Sequence, residues 1–133
     1  MSNKLIYKYS DVEDKIISAV DKIADPIRQT MGPAGGNVIY EDHKGNQYYT
    51  NDGVTIAKNI NVEDPVENAI IEIVKGGSLK TNSEAGDGTS STILLSSILI
   101  KEGLRLINEG YNQMDVKREY EELGKQITTE IGK

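Results

Sequence analysis

Residues 89–109, TSSTILLSSILIKEGLRLINE, carry Ile93, Leu94, Leu95, Ile98, Leu99, Ile100, Leu104, Leu106 and Ile107. At helical spacing these side chains cover nearly the whole circumference over the first three turns. A helix apolar all round is a central, buried one, so the rest of the chain must supply cover on every side. The chain has 133 residues, which suits one domain, and a chain of that size buries roughly two-thirds of its surface. Hydrophobic residues make up 37%, so the composition is not that of a disordered chain.

The expected cover is mostly helical. Ser10 is placed to cap a helix over residues 11–24, with Val12, Ile16, Val20 and Ile23 on one face. Pro26 lacks an N–H and clashes one turn back. Ile27 continues the stripe, so a kink rather than a stop is expected. The cluster Met31-Gly-Pro-Ala-Gly-Gly36 is loop. Residues 37–40 and 47–50 read as short strands around a hairpin tip at 41–46. Asn51-Asp-Gly53 turns into a short helix over 54–60, and Pro65 opens another carrying Val66, Ile70, Ile73 and Val74. Gly76-Gly77 within it costs about 1 kcal/mol each relative to Ala. A charged amphipathic helix over 114–131 ends the chain. The fold class expected is mainly α, a helical bundle with one small β-hairpin.

Composition narrows the chemistry. There is no Cys, which excludes disulfide scaffolds, thiolate metal sites and cysteine nucleophiles and fits a reducing compartment. Net charge is −6, with basic residues scattered among acidic ones, so neither nucleic acid nor an anionic membrane is an expected partner. The opening residues have no secretory-signal pattern, and no apolar run approaches a bilayer's thickness. A soluble, cytoplasmic protein is expected.

Three glycine-bearing turns are the candidates for chemistry. In Ala85-Gly-Asp-Gly-Thr-Ser-Ser91, a carboxylate sits between two glycines, and hydroxyls follow at the mouth of the apolar helix. A helix N-terminus offers unpaired N–H groups and the positive end of the dipole, and glycines let a ligand approach the backbone. That is a seat for phosphate. Asp87 within it repels phosphate unless it holds a bridging divalent cation, an arrangement Mg²⁺ favours. The alternative is that Asp87 or Thr89 is an N-cap. Thr30-Met-Gly-Pro33 also reads as a helix C-cap. Asn51-Asp-Gly-Val-Thr55 also reads as a turn, although Asp52 could orient a water or help neutralise a metal. Lys80-Thr81 is not a P-loop, because Leu79 stands where that motif needs Gly. His43, the only histidine, reads as a surface residue, and Tyr40, Tyr48 and Tyr49 read as hairpin packing.

Together the three turns say more than each alone. Thr30-Met-Gly-Pro-Ala-Gly-Gly-Asn37, Thr50-Asn-Asp-Gly-Val-Thr-Ile-Ala-Lys58 and Ala85-Gly-Asp-Gly-Thr-Ser-Ser91, in that order, resemble the nucleotide-binding sequence of group I chaperonins. Glu63-Asp-Pro-Val-Glu-Asn68, Ser78-Leu-Lys-Thr-Asn82 and Gly110-Tyr-Asn-Gln-Met-Asp-Val-Lys-Arg118 look like the same family, so the likeness runs over essentially the whole chain.

The resemblance implies that residues 1–133 form one partial equatorial, ATP-binding domain of a ring-forming protein-folding machine. It implies that Thr30, Met31, Gly32 and Pro33 line the nucleotide, with Asn51, Asp52 and Gly53 beside it. It implies that Asp87 ligates Mg²⁺, that Gly88, Thr89, Ser90 and Ser91 hold phosphates, and that Asp52 assists hydrolysis near the γ-phosphate. Backbone carbonyls of Thr30 and Asn51 would hold a K⁺ ion. Residues 37–50 would pair with terminal strands of a neighbouring subunit, residues 4–7 being one such strand.

Departures are visible. Ala34 and Gly36 replace a usual Lys and Arg, Asn51 replaces a common Lys, and Ser90 and Ser91 replace threonines. Family subunits are several times longer. The apical and intermediate domains, the main catalytic carboxylate and half of the nucleotide pocket fall outside these residues. The segment by itself is therefore expected to hydrolyse ATP weakly or not at all, and unfolded protein is an expected partner only where the missing domains exist. A second reading is a non-catalytic module that binds a full-length chaperonin through its hairpin.

Overall fold

A computed structural model describes residues 8–42 and 44–133. The strand expected at Lys4–Tyr7 and the histidine at position 43 lie outside the described residues. The element order is α1 (Tyr9–Thr30), β1 (Val38–Glu41), β2 (Gln47–Thr50), α2 (Gly53–Asn59), α3 (Pro65–Ala85), α4 (Thr89–Asn108) and α5 (Gln113–Ile131). The mainly α fold with one hairpin is as the sequence predicts. The chain divides into two compact units, residues 1–98 and 99–133, with the boundary inside α4.

In the first unit, α1 buries Ala19, Val20, Ile23, Ala24 and Ile27, a stripe at the helical period. It starts at Tyr9 rather than after Ser10: Lys8 is the N-cap, and its carbonyl accepts from the Asp11 and Val12 amides. The helix runs through Pro26 to Thr30. The loss of one donor there is offset by burial on either side, at Ala24 and Ile27.

α3 packs against α1. Asp64 caps it by accepting from the Val66 and Glu67 amides, and Gly86, in the left-handed region at φ 77°, closes it. The helix also continues through Gly76-Gly77. Its inner face is Glu67, Ile71, Val74 and Ser78. Ile73, one of the apolar residues the sequence puts on this helix, is 76% exposed. It stands about 160–200° around the helix from Ile71 at 100° per residue, on the side away from α1.

Two ion pairs stitch these helices together, Lys15 with Asp64 and Lys22 with Glu67. The lysine partners hold both carboxyls below their ordinary values of 3.8 and 4.5. A depressed native value means that the stabilisation is complete above those ordinary values and is lost as pH falls through the lower native ones. The expected result is an acid limb of the stability curve beginning below about pH 4.5. Glu67→Gln should flatten it, as read by denaturant midpoint against pH, and added salt should shrink it.

The hairpin pairs Val38 with Thr50, Ile39 with Tyr49, Tyr40 with Tyr48 and Glu41 with Gln47. Tyr40 and Tyr48 stack with centroids 5.3 Å apart. At the tip Asp42 accepts from the Lys44 amide, the Asn46 amide and side chain, and the Tyr48 hydroxyl. Those donors, Asn46 foremost, hold its carboxyl at about 2. On the other face Ile39 and Tyr49 are 73% and 77% exposed.

α4 corrects an expectation. Thr89, Ile93 and Ser97 are buried along one stripe, but Leu95 and Ile98 are 58% and 61% exposed. The all-round apolar pattern promised a central helix; among the described residues only one side of its first turns is covered.

The second unit is the end of α4 and α5. A Schellman turn links them: Tyr111 N–H donates to the Leu106 carbonyl and Gly110 N–H to that of Ile107, with Gly110 at φ 102°. Asn112 then caps α5 through the Met114 amide. The Tyr120 hydroxyl donates to the Leu99 carbonyl at 2.9 Å, over the space that Gly103 leaves open. Arg105 is held between Glu102 and Glu109.

Candidate functional site

The first unit brings the three glycine-bearing turns to one cleft of about 230 Å³. Thr30 and Met31 come from the end of α1. Asn51, Asp52, Gly53 and Val54 come from the entry to α2, and Asp87 to Ser91 from the entry to α4. Gly32 and Pro33 belong to the adjoining loop and do not line it.

Local chemistry explains each wall. After α1 the loop folds back on the helix end: Gly36 N–H donates to the Gln29 carbonyl at 2.9 Å and Gly35 N–H to that of Gly32 at 3.0 Å. A Cβ at Gly35 would fall 2.3 Å from the Thr30 carbonyl oxygen, so only glycine allows the return. The Thr30 hydroxyl is occupied, donating to the Ile27 carbonyl.

Asp52 is the N-cap of α2. Its Oδ2 accepts from the Thr55 amide at 3.0 Å and from the Thr55 hydroxyl at 2.5 Å. The Thr55 hydroxyl foremost holds the carboxyl below its ordinary value, so it is an anion at neutral pH. Asp52 thus fills the capping place while lining the cleft.

Gly53 lets α2 approach α4. A Cβ there would lie 2.0 Å from Ser90 Oγ. At the third wall Gly88 is left-handed at φ 92°, and the Gly88 N–H donates to Asp87 Oδ1 at 2.6 Å. Asp87 is exposed. Thr89, only 4% exposed, has a buried hydroxyl with no hydrogen-bond partner among the described residues.

Sequence reading missed Val54 as a wall. Its place follows from the α2 start one residue earlier than expected, which turns Gly53 into the helix and Val54 toward the cleft. A second cleft of about 570 Å³ lies along β1, between Pro26, Gln29, Ile56 and residues 59–61. Among the described residues no three His, Cys, Asp or Glu cluster as a metal site, and no helix is long and apolar enough to cross a membrane.

The model of the TCP-1/cpn60 chaperonin family matches residues 23–133. Chaperonin GroEL 1 of Corynebacterium glutamicum is 44% identical over 115 residues, covering 86% of this chain and 21% of that protein. Chaperonin GroEL 1 of Corynebacterium efficiens is 44% identical over the same coverage, and chaperonin GroEL 2 of Corynebacterium jeikeium is 42% identical over 116 residues. The chain thus spans about a fifth of the length of these relatives. On this footing the chain belongs to the TCP-1/cpn60 chaperonin family.

Proposed function

We propose that the cleft between α1, α2 and α4 binds the phosphates of ATP with Mg²⁺, as the nucleotide-binding part of a ring chaperonin that assists protein folding. The observation that carries this reading is the buried Thr89 hydroxyl without a partner. It stands in the first turn of a 20-residue helix, where unpaired amides and the helix dipole favour an anion. A buried unmade hydrogen bond costs about 1–3 kcal/mol, a cost that an arriving phosphate oxygen removes.

The residues fit the group. Two carboxylates, Asp52 and Asp87, line the cleft and alone would repel a triphosphate. Mg²⁺ takes one or two carboxylates together with phosphate oxygens and water, and it supplies charge neutralisation when bound. Both are exposed, but Asp52 is tied to Thr55, so Asp87 is the carboxylate that would hold it. Asp52, tied to Thr55, would orient a water near the terminal phosphate. The amides of Gly88 to Ser91 and the hydroxyls of Ser90 and Ser91 would take phosphate oxygens. The Thr30 and Asn51 carbonyls would hold K⁺.

Thr89→Val separates this reading from a plain helix start. Val is isosteric and needs no partner. The variant should therefore gain about 1 kcal/mol of stability in the free protein and lose affinity for Mg·ATP. A gain in stability with unchanged nucleotide affinity would leave Thr89 outside the site.

The exposed pair Ile39 and Tyr49 favours a second reading, a module that joins full-length chaperonin subunits through its hairpin. Ile39→Ser with Tyr49→Ser should abolish co-migration with a full-length chaperonin on native gels. Persistence of the complex would reject the hairpin as its contact.

A further inference from the structure

The chain contains two Asp-Gly steps, Asp52-Gly53 and Asp87-Gly88, and no Asn-Gly. Both line the same cleft, and their surroundings differ. Asp-Gly is the peptide step at which a side-chain carboxyl is most open to the next backbone nitrogen, because glycine places no Cβ in the way. What decides the outcome is whether the fold holds the two groups together or apart.

At Asp87-Gly88 they are together. The Gly88 nitrogen lies 2.6 Å from Asp87 Oδ1. Asp87 is exposed, and the step precedes α4 rather than lying within it. At Asp52-Gly53 the carboxyl is turned to Thr55, accepting from its amide and hydroxyl. Gly53 is buried as the first residue of α2 and closes against Ser90 Oγ. Cyclisation there would break the cap and push Gly53 into Ser90.

We infer that Asp87-Gly88 is a site of spontaneous isoaspartate formation and that Asp52-Gly53 is protected. The Gly88 nitrogen attacks Asp87 Cγ of the protonated carboxyl. A C–N bond forms, and the carboxyl hydroxyl leaves as water with the amide proton. Water then adds to the resulting cyclic imide. Opening at the main-chain carbonyl leaves the backbone running through Cγ, with the former main-chain carbonyl carbon as the new carboxylate. Opening at Cγ restores aspartate. One water is lost and one regained, nothing is oxidised or reduced, and the mass is unchanged. The product carries an extra methylene in the backbone and a displaced carboxylate at the cleft wall. The inference does not depend on the cleft's ligand.

The test is to incubate the full chain at neutral pH and physiological temperature. Isoaspartate is then labelled with a protein isoaspartyl methyltransferase and tritiated methyl donor, and the labelled peptides are located by mass spectrometry. Label should accumulate in the peptide holding residues 87–88 and stay absent from that holding 52–53. Asp87→Glu, which cannot close the five-membered imide, should abolish it while circular dichroism shows the same helix content. Thr55→Val, which removes a partner of Asp52, should raise label at 52–53. No label at 87–88, equal label at both steps, or label that survives Asp87→Glu would overturn the assignment.

Discussion

Asp87→Ala should weaken binding of Mg·ATP by at least roughly 10- to 100-fold, the loss that removing even an outer-shell partner of a metal ligand causes, and leave the fold in place. Asp87 is exposed and accepts from the amide of its own neighbour. Its stabilising part in the free protein is therefore a carboxylate near a helix N-terminus, about 1 kcal/mol or less. Its proposed part in the complex is larger, since a triphosphate brings several negative charges against Asp52 and Asp87. The two effects separate by experiment. Calorimetric titration should show the affinity loss in the presence of Mg²⁺, and the thermal midpoint without nucleotide should scarcely move. If the variant binds Mg·ATP as the parent does, Asp87 holds no metal. The mutation should also narrow the difference between titrations with and without Mg²⁺.

Gly53→Ala should lower stability by about 1–3 kcal/mol, the usual cost of overpacking. The added Cβ would fall 2.0 Å from Ser90 Oγ and 3.3 Å from Ser90 Cβ, so α2 and the start of α4 must part or Ser90 must turn. Either movement disturbs the cleft, and ligand affinity should fall with stability. In a Ser90→Ala background the closest clash is gone. The two substitutions should then couple by about 0.5–3 kcal/mol, as residues in contact do. Strict additivity would mean that Gly53 is not the spacer between these helices.

Much of this was legible in the residues. The periodic stripe of α1, the Pro65 start, the turn glycines and the hairpin strands all act locally, through spacing and backbone freedom, and the elements lie where those signals point. Non-local choices were not legible. Lys22 meets Glu67 across 45 residues, and nothing in either segment names the other. The N-cap at Lys8 in place of Ser10 carries no side-chain bond, so no residue-type signal could mark it. Burial failed at Leu95 and Ile98 because periodicity tells which faces are apolar and not which are covered. At the cleft, type and order of residues pointed to three turns. Their convergence depends on α1 and α3 packing together, and the tie of Asp52 to Thr55 depends on the capping geometry of α2.

The most direct measurement is a Mg·ATP titration followed by amide chemical shifts of the labelled chain. The expected result is that the amides of Gly88, Thr89, Ser90 and Ser91 move together with those of Asp52 and Gly53, saturably, and only when Mg²⁺ is present. Shifts confined to the β1 cleft near Ile56 and Asn61, or none at all, would contradict phosphate binding at the start of α4.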